Sequence, residues 1–231
     1  MTNTRRSLLR TGGSLLVVGT AGCLGSGGDP ETTTAESTTD EPFELPATVT
    51  ADSLASPTIG PSDAPVTVSV YADFACKHCR NFVLDVFPDL RDEYVSEGVV
   101  RYEYHDYPIP VDEQWSWQMA SAARAVQDQL GAEAYFAFTS GIFDHHGSYS
   151  MDVVDAVAEE VGADPDVVEQ AANEETYRPV VEAEKAAGLE AGVEYTPTIF
   201  VDGTNTEQYK GADEFPYEWR VVSEAIEAAR D

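Results

Sequence analysis

The stretch PVTVSVY, residues 65–71, alternates Val66, Val68 and Val70 with Thr67 and Ser69. This period of two predicts a half-buried strand. The period then lengthens. Phe82, Val83, Val86, Phe87, Leu90 and Tyr94 recur at three- and four-residue steps, so a helix is predicted to begin at or near Cys76. Pro88 lies inside it and is expected to kink it. Gly98 ends the element, and VVRYEYHDY, residues 99–107, reads as a second strand. Strand, helix and strand form a βαβ unit, with the tetrapeptide CKHC at the strand-to-helix turn.

A mostly helical stretch follows. Trp115, Met119, Ala122, Ala123, Val126 and Leu130 share one helical face, and further helical patterns run over about 132–143, 151–161, 164–172 and 175–191. Asp164-Pro165 is a helix-start signal. DHHGSYS reads as a loop, TPTIFVDG as a short buried strand with a turn, and EQYKG as its partner strand. Phe215, Trp219, Val222 and Ile226 mark the apolar stripe of a C-terminal helix. The predicted order is β-α-β, a helical block of about 80 residues, then β-β-α. The fold class is therefore α/β.

Composition adds an unusual charge. Of 231 residues, 42% are hydrophobic, enough for a core, but 42 acidic residues face 13 basic ones, a net charge of −29. Such a surface repels nucleic acid and anionic lipid heads. The acids are scattered through the periodic segments rather than gathered in a tail. This resembles the surfaces of proteins from salt-loving archaea; the alternative, partial disorder, fits the apolar periodicity less well.

The N-terminus reads as an address. Arg5 and Arg6 precede Leu8 and Leu9, and a short apolar run leads to Ala21-Gly22-Cys23. The run is far shorter than the roughly 20 apolar residues of a membrane-spanning helix. It resembles a twin-arginine export signal over residues 1–22, followed by a lipobox in which Cys23 carries the lipid. Thr20 is the weaker part of that match. Residues 23–42 are rich in Gly, Ser, Thr and acids and hold no aromatic residue, a composition expected to stay a flexible tether. The folded domain is expected over 43–231, with the helical insertion at about 112–191. The expected location is the outer face of the cell membrane, anchored through Cys23.

With Cys23 set aside, Cys76 and Cys79 are the remaining thiols. An exported chain so poor in cysteine has no structural disulfide framework. A thiol attacks a disulfide only as thiolate, and at a helix N-terminus the backbone N–H groups and helix dipole favour the anion. Lys77 and His78 are candidate stabilisers of a Cys76 thiolate, and Cys79, one turn on, is the candidate resolving thiol. A zinc site needs more ligands than one cysteine pair supplies; His105, His145 and His146 lack the spacing to complete one, so no metal is expected. His145-His146 reads as a solvated polar turn. Trp115 and Trp117 read as core and near-surface packing, with one of them available to line a substrate groove.

YTPTIFVDG completes a resemblance. Thr196-Pro197 before a strand, joined to CKHC at a strand–helix turn and a helical insert, resembles the thioredoxin superfamily, and its DsbA-like branch over about 65–229. The resemblance implies a thioredoxin fold with an inserted helical domain, a redox-active Cys76–Cys79 disulfide and no other cofactor. It implies that Pro197 is a cis-proline facing that disulfide, and that the backbone of Thr196 pairs with substrate. The family's buried acid, six residues before the first cysteine, is here Val70; Asp73 is the candidate to handle protons, or to cap the turn. His78 before the second cysteine resembles the oxidising members. The implied function is an extracytoplasmic dithiol oxidase acting on exported proteins with free thiols, monomeric, and reoxidised by a membrane partner. Two alternatives stay open: a reductase or isomerase of the same fold, with a membrane reductant, and a non-catalytic copper- or ligand-binding lipoprotein.

Overall fold

The computed structural model describes residues 54–109 and 111–230. Arg5, Arg6, Cys23 and the acidic tether lie outside the described residues. A five-stranded sheet has the order β1-β3-β2-β4-β5. The strands are β1 (Thr58–Ile59), β2 (Val66–Ala72), β3 (Val100–Asp106), β4 (Thr198–Val201) and β5 (Thr204–Asn205). β2 and β3 are parallel, whereas β1–β3, β2–β4 and β4–β5 are antiparallel. A parallel pair needs a crossover, and the helical segment between residues 77 and 95 supplies it. Val66, Val68 and Val70 of β2 are fully buried while Thr67 and Ser69 are not, as the alternation requires.

The crossover is not one regular helix. α1 (Lys77–Asn81) runs into a π-helical turn, Phe82–Val86, then α2 (Phe87–Leu90) and a second π-helical turn, Arg91–Val95. Pro88 falls in the first turn of α2. A proline lacks the N–H for the residue-84 carbonyl. The wider turn just before it, with Phe87 N–H bonded to the Phe82 carbonyl, absorbs the mismatch.

Between β3 and β4 lie α3 (Glu113–Leu130), α4 (Ala132–Asp144), α5 (Met151–Val161), α6 (Pro165–Glu174) and α7 (Arg178–Glu190). Asp112, Ser150 and Asp164 accept backbone N–H bonds at the starts of α3, α5 and α6, the usual use of such residues. α7 packs closely on β3 and its following turn: a Cβ on Gly188 would stand 2.7 Å from the Tyr107 ring and 2.9 Å from Tyr71. α8 (Trp219–Arg230) closes the chain.

Several expectations are corrected. EQYKG is not a strand: Thr206–Tyr209 is a 3₁₀ turn, and the strand on the outer side of β4 is the two-residue Thr204–Asn205. The Asn205 side chain accepts the Glu207 N–H at 2.8 Å, which turns the chain out of the ladder. Leu130 is exposed, because it is the last residue of α3 before Gly131. Phe215 precedes α8 rather than sharing its stripe and is 49% exposed. The last helix of the block begins at Arg178, since Glu175 takes a left-handed conformation with φ 48°.

The insert is tied to the sheet by buried charge. Arg124 on α3 bonds Asp106 at the end of β3 at 2.7 Å and also Glu184 on α7. Glu184 accepts the Asp106 N–H at 2.7 Å, and Tyr135 on α4 bonds Asp106 at 3.2 Å. Among the described residues no helix is long and apolar enough to cross a membrane.

Candidate active site

β2 ends at Ala72, and the next four residues make a tight turn into α1. Asp73 is buried, and its two carboxylate oxygens accept the Ala75 N–H at 2.8 Å and the Ile109 N–H at 2.7 Å. The side chain therefore caps the turn and joins it to the loop after β3. Burial raises its carboxyl to about 6. Val70, at the position of the family's acid, is fully buried and pairs with Tyr104 and Ile199, so Asp73 is the acid nearest the thiols along β2 and its turn. The insert braces the same turn. Tyr149 Oη donates to the Phe74 carbonyl at 2.7 Å, and a His146 ring nitrogen bonds the Ala75 carbonyl at 3.1 Å. His146 is thus a structural partner of the turn rather than a solvated loop residue.

Both cysteines of the turn are free thiols. Cys76, at the N-cap of α1, is 6% exposed, and Cys79 is wholly buried. Cys76 Sγ donates to the Thr196 carbonyl at 3.4 Å, and Cys79 Sγ accepts the Asp73 N–H at 3.4 Å. Register brings Thr196 there. β4 pairs antiparallel with β2, Thr198 opposite Tyr71, so the residues before Thr198 reach past the end of β2 to the turn. The Thr196–Pro197 peptide bond is cis.

The two thiols differ sharply in acidity. Cys76 is lowered from 9.0 to about 5 by the Cys79 thiol above all, with Thr196 and the backbone N–H groups of Cys79 and His78 contributing, against the opposing effect of burial. Burial pushes Cys79 well above the ordinary thiol value, and its bond to Cys76 raises it further. The Thr196 hydroxyl is buried without a partner beside the free thiols, and it favours the anion at both sulfurs.

Lys77 and His78 sit differently from the expectation. Both are exposed. The His78 ring bonds Tyr217 Oη at 2.7 Å, so His78 reaches the Cys76 sulfur through its backbone N–H. A cavity of about 540 Å³ opens beside the Thr196–Pro197 bond, lined by His78, Tyr195, Lys210, Phe215 and Tyr217 among others. A smaller cavity of about 280 Å³ lies on the Ala75 side, with Trp115 and His146 in its wall. Trp117 lies instead beneath the Arg178 guanidinium, 4.0 Å from its ring centre. Among the described residues no three His, Cys, Asp or Glu side chains cluster as metal ligands.

The thioredoxin family model matches residues 52–217, well over half the chain. The chain belongs to the thioredoxin family. It is 22% identical over 167 residues to disulfide bond formation protein D of Bacillus subtilis, covering 68% of this chain and 72% of that one. Its fold is that of oxidised BdbD from Bacillus subtilis, with a TM-score of 0.66 at 20% identity over 75% of this chain and 92% of that one. Chlamydia trachomatis DsbA superposes equally well, with a TM-score of 0.66 at 20% identity over 81% and 97% of the two chains. The thioredoxin fold with a helical insertion, in the DsbA arrangement, is thereby shown. Tyr217, Tyr149, Ile109 and Ser116 were missed from sequence. Ser116, on α3, bears a buried hydroxyl that favours the ionised form of Asp73. All four come to the turn from distant elements, and no local spacing marks them. Only the DHHGSYS loop, which holds Tyr149, carried a signal, through its paired histidines.

Proposed function

We propose that the protein is a dithiol oxidase that introduces disulfides into exported proteins through a Cys76–Cys79 redox pair. Its fold and its likeness to disulfide bond formation protein D support a thiol–disulfide oxidoreductase of the DsbA type. The observation that carries the direction is the unequal setting of the two thiols, Cys76 partly exposed at the N-cap of α1 and Cys79 wholly buried, which makes Cys76 the more acidic. A client thiolate attacks the Cys76 sulfur of the oxidised pair, the sulfur that keeps some exposure. The Cys76–Cys79 bond breaks, and Cys79 leaves with the electron pair and takes a proton. A second client thiolate then attacks the client sulfur of the mixed disulfide. Cys76 leaves as a thiolate, and the client departs with a new disulfide. Two electrons pass from client to enzyme; when both client thiols enter protonated and Cys76 stays ionised, one of their two protons ends on Cys79 and the other is released.

Cys76, held to about 5, is a good leaving group at neutral pH, because leaving-group ability rises as thiol pKa falls. The last step is therefore fast. The reverse direction needs Cys79 as nucleophile, and its burial keeps it protonated. The burial of Asp73 and its acidity near 6 support a part in the protonation of Cys79, beside its capping role. Thr196 would offer its backbone to an extended client beside Pro197. The reduced enzyme returns its electrons to a membrane partner.

The reading extends to location. A twin-arginine signal with Arg5 and Arg6 delivers the chain folded, and lipid on Cys23 anchors it outside the membrane on the tether of 23–42, with the folded domain in 43–231. The chain is monomeric and of the haloarchaeal lipoprotein type. The test is oxidation of a reduced dithiol peptide by the oxidised protein, followed with Cys76→Ser and Cys79→Ser variants. Stoichiometric peptide disulfide from the native protein, and none from either variant, is expected. Equal oxidation by Cys76→Ser sinks the reading.

A further inference from the structure

The His78 ring has a partner of its own. Its Nδ1 lies 2.7 Å from Tyr217 Oη, and the ring packs 5.1 Å from Phe215 and 5.7 Å from Tyr217. Phe215 and Tyr217 are themselves stacked, 5.3 Å apart at 19°. The direction of the Tyr217–His78 bond follows from what surrounds the phenol oxygen. Tyr217 is buried, and among the described residues its hydroxyl finds one hydrogen-bond partner, His78 Nδ1; burial raises Tyr217 above its ordinary value and keeps it protonated. The hydroxyl proton is then the one that points to Nδ1. A neutral imidazole that accepts at Nδ1 carries its own proton on Nε2. His78 also lines the 540 Å³ cavity beside Pro197. With Nδ1 taken, Nε2–H is the group left to face it.

We propose that Tyr217 is a positioning residue: by donating to His78 Nδ1 it fixes the ring on the Phe215 side of the CKHC turn and presents Nε2–H to a backbone carbonyl of the client chain. This rests on the dithiol-oxidase reading and gives His78 a place in client binding. The cavity also specifies the client. Tyr195, Pro197, Phe215 and Pro216 offer it apolar surface, while of the charged groups in its wall Glu207 pairs with Lys210 at 3.3 Å and Glu214 with Arg220. An extended segment with an aromatic or aliphatic residue next to its cysteine fits.

The test uses the whole chain and its Tyr217→Phe and His78→Ala variants, each checked for an unchanged thermal midpoint. ¹⁵N NMR of His78 in the native protein is expected to show a protonated Nε2 and a bare Nδ1, with that preference lost in Tyr217→Phe. For a dithiol peptide with an apolar residue beside its cysteine, both variants are expected to raise KM about fivefold, about 1 kcal/mol. kcat is expected to stay within about twofold, and the Cys76 alkylation midpoint to stay near 5. Affinity for the same peptide with serine in place of cysteine is measured in parallel. Absence of turnover in the native protein sinks the dithiol-oxidase reading alone. An Nδ1–H ring, or equal serine-peptide affinity in all three proteins, overturns this proposal. So does an unchanged KM with a rising Cys76 midpoint, because the histidine would then serve the sulfur.

Discussion

Replacing Cys79 by alanine isolates the largest cause of Cys76 acidity. Moving Cys76 from 9.0 to about 5 amounts to about 5 kcal/mol of preference for the anion, at roughly 1.4 kcal/mol per pH unit. The Cys79 thiol is the first of its causes, and a hydrogen bond to a charged group contributes about 1.5–3 kcal/mol. Cys79→Ala is therefore expected to raise the Cys76 midpoint by about 1–2 pH units. Cys79→Ser keeps a donor and is expected to move it by less than about one unit. The assay is the rate of iodoacetamide alkylation against pH. Made in a Cys23→Ser background, each variant leaves Cys76 as the single thiol. The acidity also sets a sign for stability. A depressed pKa stabilises the reduced fold fully above the unfolded thiol's value, and the effect is lost as pH falls through about 5. At pH 7 about 2.7 kcal/mol of it is present. The reduced form should gain on the oxidised form as pH rises from 5 towards 9. A native midpoint near 9, or a Cys79→Ala midpoint equal to the native one, refutes the reasoning.

Three further perturbations read other parts of the molecule. Asp73→Ala leaves the half-buried Ala75 and Ile109 N–H groups without their acceptor, and chemical denaturation should show a loss of about 1–3 kcal/mol; a loss under about 0.5 kcal/mol would mean the turn does not need its cap. Arg124→Met strands the Asp106 and Glu184 carboxylates in the interior and should cost about 3–5 kcal/mol, most of it recovered when Asp106→Asn and Glu184→Gln are added; no recovery would place the loss in packing. The net charge of −29 should make the thermal midpoint climb with salt up to about 1 M, where screening extends to about 3 Å, and a midpoint that falls with added potassium chloride contradicts the halophilic reading.

Much of this was legible from residue order because the strong signals are local. Val66, Val68 and Val70 announce β2, the Phe82–Tyr94 spacing announces the crossover, and Asp164-Pro165 announces α6. The redox pair was legible because its spacing and its strand–helix turn lie within a dozen residues. What sequence hid is long-range. Asp73 reads as a possible cap, but the Ile109 N–H that completes its bonding comes from the loop after β3. His78 reads as a neighbour of the thiolate, but Tyr217, far along the chain, takes its ring. Arg124 carries no mark in the sequence, and its burial rests on Asp106 and Glu184, which meet it from two other elements. EQYKG failed for a nearer reason: the Asn205 side chain competes with the strand ladder for the Glu207 N–H.

The standard potential of the Cys76–Cys79 pair, taken from equilibrium with glutathione in concentrated salt, tests the oxidase assignment most directly. Thioredoxin's nucleophilic cysteine titrates near 7 and DsbA's near 3.5, and their potentials are about −270 and −120 mV. A Cys76 held near 5 stabilises the reduced form at pH 7 by about 2.3 kcal/mol more than thioredoxin's does, or about 50 mV. A value of about −220 mV or more positive is expected. A value at or below thioredoxin's would contradict the assignment and make the protein a reductant on the same fold.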